Sequence, residues 1–171
     1  LTIDPLGRVV TDQIVDAAND IDYTTTRSYD ADSNLLTFDV PVDGGATTAR
    51  TTYTYDARGN VLTLITPIDG TTTVNAYNAT NDLLTRTDAD ADAAVRTVTK
   101  YTYDGSGHLT DITANCTTSG TTPPATGSTC TGAGTQDAST NLITKYAYTS
   151  NNQLEYEFDP LGRVTKHVYD T

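Results

Sequence analysis

Tyr55-Asp56-Ala57-Arg58-Gly59-Asn60-Val61-Leu62-Thr63 is the stretch that decides the fold. It opens with a residue pair that starts a tight turn: Asp bonds its own backbone readily, and Gly or Asn tolerates a left-handed dihedral. A short apolar, β-branched run follows. Similar stretches lie on either side of it. Tyr29-Asp30, Tyr77-Asn78, Tyr103-Asp104, Tyr148-Thr149 and Tyr169-Asp170 repeat the opening pair, with tyrosine spacings of 26, 22, 26, 45 and 21 along the chain. The first five pairs all lead through a polar turn into an apolar run, as in Asp32-Ser33-Asn34-Leu35-Leu36 and Ser106-Gly107-His108-Leu109-Thr110. Self-similarity of this kind marks a repeat array, which governs every other inference about the chain.

A second turn separates two strands within each unit. Asp4-Pro5-Leu6-Gly7-Arg8 and Asp159-Pro160-Leu161-Gly162-Arg163 are its clearest forms, and Pro67-Ile68-Asp69-Gly70 fills the same slot elsewhere. Pro fixes one corner and Gly supplies the left-handed position. Each unit therefore reads as a β-hairpin. The expected division is a partial hairpin over 1–28, units near 29–54, 55–76, 77–102, 103–147 and 148–171, and a loop insertion over 116–130. The stretches 41–49 and 88–94 read as longer hairpin tips.

Alternation supports strands. Tyr53 and Tyr55 fall on one face, as do Tyr101 and Tyr103, and Tyr146 and Tyr148. With Tyr77 and Tyr169 they are expected to form an aromatic ladder as neighbouring hairpins close on one another. Cross-strand aromatic pairs contribute roughly 0.2–1 kcal/mol each. Composition agrees. The chain has 171 residues, 37 of them Thr and 11 Tyr, with no Trp or Met and only 36% hydrophobic residues. Thr and Tyr fit a pleated, half-buried surface. No window carries a long amphipathic helix.

The net charge is −12, from 20 Asp and 2 Glu against 10 Lys and Arg. Such a chain repels phosphate backbones, which excludes nucleic acid as the expected partner. Most of the Asp belongs to turns. Cys116 and Cys130 flank a Thr-, Ser-, Gly- and Pro-rich segment that cannot build a core, so a disulfide closing this loop is expected. On a chain-entropy estimate such a bridge contributes about 3 kcal/mol. It points to an oxidising, extracellular or cell-surface location. Two free thiols are the alternative. No signal sequence, hydrophobic span or lipid motif appears, so the chain reads as mature material or as a piece of a longer protein.

No catalytic constellation is found, and no cofactor is expected. His108 and His167 lie in different units and outside any triad or HxxxH spacing. Asp88, Asp90 and Asp92 form the one weak calcium candidate, without the Gly and Glu of an EF-hand. Glu155 and Glu157 flank Tyr156 but have no cleft that a glycosidase needs. Asn78-Ala79-Thr80 and Asn115-Cys116-Thr117 are formal glycosylation sequons.

The repeat resembles the YD or Rhs repeat family. The resemblance rests on the 55–63 stretch, on Tyr103-Asp104-Gly105-Ser106-Gly107-His108-Leu109-Thr110, and on the two Asp-Pro-Leu-Gly-Arg segments. Ser33, Asn81 and Asn152 stand where the pattern has Gly, and Asn78 and Thr149 where it has Asp. The resemblance implies an all-β, open-ended spiral of antiparallel hairpins. Members of the family build shells that enclose a toxin domain, support adhesion, or serve as surface scaffold. The signature that closes an Rhs core, with its self-cleaving aspartate, is absent from this chain. The leading expectation is a structural, non-enzymatic extracellular scaffold, with further repeats or further copies as partner, assembling into a fibre or tube. The alternatives are a cocoon wall around a toxin, and an adhesion module that binds surface glycans.

Overall fold

The computed structural model describes residues 1–16, 21–67, 70–89, 96–116 and 141–170. The chain is all-β. It runs through β1 (Thr2–Ile3), β2 (Val9–Asp16), β3 (Ile21–Tyr29), β4 (Leu35–Val42), β5 (Thr47–Tyr55), β6 (Val61–Ile65), β7 (Thr72–Tyr77), β8 (Leu83–Ala89), β9 (Arg96–Tyr103), β10 (Leu109–Ala114), β11 (Leu142–Tyr148), β12 (Leu154–Phe158) and β13 (Val164–Lys166). Strand order in the sheet follows chain order, with antiparallel pairing from β1 to β7 and from β8 to β13. Each hairpin therefore extends the sheet edgewise. β1 and β13 stay as open edges, so the sheet is not closed into a barrel. No α-helix occurs among the described residues.

The chain divides into two compact units, residues 1–74 with 90–92, and residues 75–89 with 93–171. In the first unit, β2 pairs with β3 from Thr11↔Thr26 to Asp16↔Ile21, and β4 with β5 from Thr37↔Thr52 to Val42↔Thr47. The 41–49 stretch, expected as a long tip, is instead mostly strand. Only a short 3₁₀ turn over Asp43–Gly45 remains, with Thr47 Oγ1 donating to Asp43 Oδ2 at 3.0 Å. Pro41 is accommodated because β3 pairs with β4 only as far as Thr26↔Asp39, so its missing N–H is needed by no ladder there. In the second unit, β9 pairs with both β8 and β10, and β11 with β10 and β12.

Burial is thin, as a single-layer sheet requires. Val98 is 1% exposed, and Thr25, Thr73, Ala76, Thr87, Cys116 and Asn141 complete the buried set among the described residues. Threonine fills this role because its methyl packs while its hydroxyl finds partners across strands. Thr2 and Thr11, Ser28 and Thr37, and Thr54 and Thr63 each bring two hydroxyl oxygens to 2.6 Å. Each pair sits beside a register shift, as between Ser28 and Tyr29, or Thr54 and Tyr55. These are β-bulges. They let the strand leave the ladder and enter the next turn.

Candidate functional site

Seven turns share one hydrogen-bond plan: 4–8, 30–34, 56–60, 78–82, 104–108, 149–153 and 159–163. The first residue's N–H donates to the fifth residue's carbonyl, as in Asp56 to Asn60 at 2.9 Å. The fourth N–H returns to the first carbonyl, as in Gly59 to Asp56 at 3.1 Å. The first side chain then collects the remaining donors. Asp56 Oδ1 accepts from Arg58 N and Asn60 N, each at 2.9 Å, and Oδ2 accepts from Asn60 Nδ2 at 2.9 Å. Backbone donors that the turn would leave bare are thus satisfied within five residues.

The fifth side chain braces the first in nearly every turn. Arg8 and Arg163 grip Asp4 and Asp159 through Nε. Asn34 holds Asp30, and His108 Nδ1 holds Asp104. In 78–82 the roles are exchanged: Asn78 Nδ2 donates to Asp82 Oδ2 at 2.8 Å. The fourth residue is left-handed throughout, with φ of 85° at Gly59, 73° at Ser33, 70° at Asn81 and 62° at Asn152.

These bonds hold the turn carboxylates in their charged form. The side-chain bond from Asn60 lowers the Asp56 pKa, that from Asn34 lowers Asp30, and that from His108 lowers Asp104. For Asp4 the leading cause is the Arg8 backbone N–H, and for Asp82 it is the Thr80 hydroxyl.

The sequence assigned Asp4–Arg8 and Asp159–Arg163 to a separate return turn. The bonds show the same turn as at Tyr55-Asp56. In the first unit Asp4–Arg8 lies beside Asp30–Asn34, because Arg8 Nη1 donates to the Asp30 carbonyl at 2.9 Å. It belongs to the Tyr-Asp edge. In the second unit Asp159–Arg163 lies one strand beyond 149–153 and so at the other end of β12.

Five of the repeat tyrosines reach back to an earlier strand. Tyr29 Oη donates to the Val9 carbonyl at 2.9 Å, Tyr55 to Leu35 at 2.8 Å, Tyr103 to Leu83 at 3.0 Å, Tyr148 to Leu109 at 3.0 Å and Tyr169 to Leu154 at 2.8 Å. Each acceptor is the first residue of its strand. Pairing with the following strand begins two residues further on, at Thr11, Thr37, Thr85, Asp111 and Tyr156, so the hydroxyl bonds just outside the ladder. Burial raises the pKa of Tyr55 and Tyr103, which keeps the hydroxyl proton that this bond uses.

The other tyrosine of each pair stands on a groove wall. The Tyr53 and Tyr55 rings are 6.5 Å apart and line a groove of ≈ 520 Å³ with Asp30, Asp32 and Asp56. Tyr101 and Tyr103 line an equivalent groove of ≈ 560 Å³, and Tyr146 and Tyr148 one of ≈ 330 Å³.

The teneurin YD-shell pattern matches residues 1–171. This chain belongs to the teneurin YD-shell family. Among solved structures it is similar to one titled "Crystal Structure of TcdB2-TccC3-Cdc42", at 17% identity and a TM-score of 0.49, over 91% of this chain and 9% of that one. This chain thus spans a small fraction of that protein's length. No curated protein matches it. Family membership makes the chain a structural shell scaffold, in keeping with a sequence without catalytic motifs.

Tyr77 ends β7 and is half-buried. Gly70 has a φ of 64°, while Ile68 and Asp69 lie outside the described residues. Asp88 pairs with Arg86 at 2.9 Å, and Asp90 and Asp92 lie outside the described residues. No metal-binding cluster occurs among the described residues, and no described helix is long and apolar enough to cross a membrane. Cys116 is buried, with its N–H on the Val98 carbonyl at 2.8 Å, and Cys130 lies outside the described residues. Just before Cys116, the insertion's base is drawn together as Asn141 N donates to the Asn115 carbonyl at 3.0 Å. Sequence reasoning missed the side-chain brace and the tyrosine hydroxyl. The brace had a signal, an Asp matched four residues on by Arg, Asn or His.

Proposed function

We propose that this YD-shell segment is a wall element of an extracellular scaffold, built by adding hairpins edgewise and locking each to the one before. The observation that carries the reading is the recurring tyrosine-to-carbonyl bond, which joins the entries of β2, β4, β8, β10 and β12 to the repeat that follows. Repeat arrays gain stability from such nearest-neighbour interfaces. The open edges at β1 and β13 give the wall a means of growth through further repeats or further copies. Apolar side chains stand exposed at both, Leu1 and Ile3 at one and Val164 and Val168 at the other.

The extracellular location draws support from Cys116 and Cys130, proposed to pair across the insertion. Cys116 is buried at the insertion's base, and no free cysteine occurs among the described residues. Intact mass with and without reductant, after thiol alkylation, tests the pairing: alkylation only after reduction is expected. Growth is tested by light scattering across a concentration series. Association weakened by Val164→Lys at the β13 edge is expected. A strict monomer at all concentrations would end the copy-to-copy reading and leave growth through further repeats alone.

A further inference from the structure

The fifth side chain of a turn does more than brace the first where it is long and planar. Arg8 lies over the Tyr29 ring, 4.7 Å from its centroid. Its Nε holds Asp4 Oδ2 at 2.6 Å, and its Nη1 donates to the Asp30 carbonyl at 2.9 Å and to Ser33 Oγ at 3.2 Å. His108 does likewise in its repeat, stacked 4.7 Å from the Tyr148 ring while bonded to Asp104. The space between one turn and the next tyrosine is therefore a slot for a planar, nitrogen-bearing group.

One repeat after Arg8 that slot is open. Asn34 folds back onto Asp30 and ends there. The ≈ 520 Å³ groove beyond it matches the Arg8 slot residue for residue at an offset of 26: Asp30 for Asp4, Tyr55 for Tyr29, and Asp56 for Asp30. Two differences favour a cation further. Asp32 replaces Leu6, and Tyr53 replaces Arg27. Among the described residues that line this wall, Arg58 is the one basic side chain, against Asp30, Asp32 and Asp56. The groove at Tyr103 has Lys100 on its wall and is less suited.

We propose that the Asp30–Tyr55–Asp56 groove binds the guanidinium of an arginine supplied by a protein partner. The guanidinium stacks on Tyr55 as Arg8 stacks on Tyr29, donates to the Asp56 carbonyl, and pairs with the Asp32 carboxylate. A guanidinium suits the slot better than an ammonium, because it stacks flat and donates in a fork.

The test is a titration with N-acetyl-arginine amide, and separately with N-acetyl-lysine amide, followed by backbone amide shifts. Saturable shifts confined to Asp30–Asn34 and Tyr53–Gly59 are expected. The lysine compound should bind about tenfold more weakly, equivalent to ~1.4 kcal/mol. Asn34→Arg should fill the slot from within and abolish the response while its other amide shifts stay in place. Asp32→Asn should weaken binding without unfolding the chain. Equal shifts with both compounds, shifts spread across the acidic surface, or an undiminished response in Asn34→Arg would each overturn the proposal.

Discussion

The hydroxyl of Tyr55 donates to the main-chain carbonyl of Leu35 at 2.8 Å, across twenty residues of sequence. Removing only that oxygen tests how much the repeats depend on each other. Tyr55→Phe keeps the ring against Tyr53 and leaves the Leu35 carbonyl without its donor. The expected loss is about 1 kcal/mol, the net worth of one half-buried hydrogen bond, read from a denaturant midpoint at unchanged m-value. Tyr53→Phe, on the groove wall, is the control and should cost clearly less. Equal losses would show that the ring alone matters.

The hairpin period and the all-β class were legible because spacing alone reveals them. Tyrosine at 29, 55, 77, 103 and 148 ends every second strand, and Thr-rich alternation marks the strands themselves. The tyrosine's role was not legible. Its acceptor is a main-chain oxygen, which leaves no trace in residue identity. Asp4–Arg8 was misplaced for a related reason. Asp4–Arg8 and Asp159–Arg163 carry the same sequence and the same carboxylate-to-arginine brace yet sit at opposite strand ends, so the edge is set by the number of strands between turns and not by the pentapeptide. The 41–49 stretch misled through Pro41, whose strand environment depends on which neighbour β4 has lost.

The exchanged pair at Asn78 and Asp82 makes a second prediction. Asn78→Asp sets two carboxylates against each other, and Asp82→Asn removes the carboxylate that accepts from Asn78 and Thr80. Each single change should lower the melting temperature. The double change recreates the Asp-and-Asn order of 56–60 and should recover a good part of the loss. Recovery beyond the sum of the single effects is the sign of direct coupling. Plain additivity would mean that the brace contributes nothing of its own.

The fourth turn position makes a third. Asn152 has a φ of 62°, a region that costs an ordinary L-residue roughly 1–2 kcal/mol, asparagine less, and glycine almost nothing. Asn152→Gly should stabilise the chain, with the gain trimmed by the greater freedom of glycine in the unfolded state. Gly59→Ala should destabilise it by about 1 kcal/mol through φ alone. Its added Cβ would meet nothing closer than Asn34 Oδ1 at 3.6 Å, an ordinary contact. Thermal melts of the two variants should therefore move in opposite directions.

Acid should unfold the chain through its turns. Asp4, Asp30, Asp56, Asp104 and Asp159 all have pKa values lowered from the ordinary 3.8 by bonds that exist only in the folded state. A lowered carboxylate binds its proton more weakly when folded than when unfolded. Its contribution is then fully present above the unfolded value and disappears as pH falls through the folded one. Stability should be flat from neutral pH down to about 5 and should drop steeply below about 4. Asp39, held by Arg50 at 2.7 and 2.8 Å, adds to the same limb. Asp56→Asn removes one member of the set, so its denaturant midpoint should fall less between pH 5 and pH 3 than that of the unaltered chain. An acid limb of unchanged depth in that variant would locate the pH dependence elsewhere than in the turns.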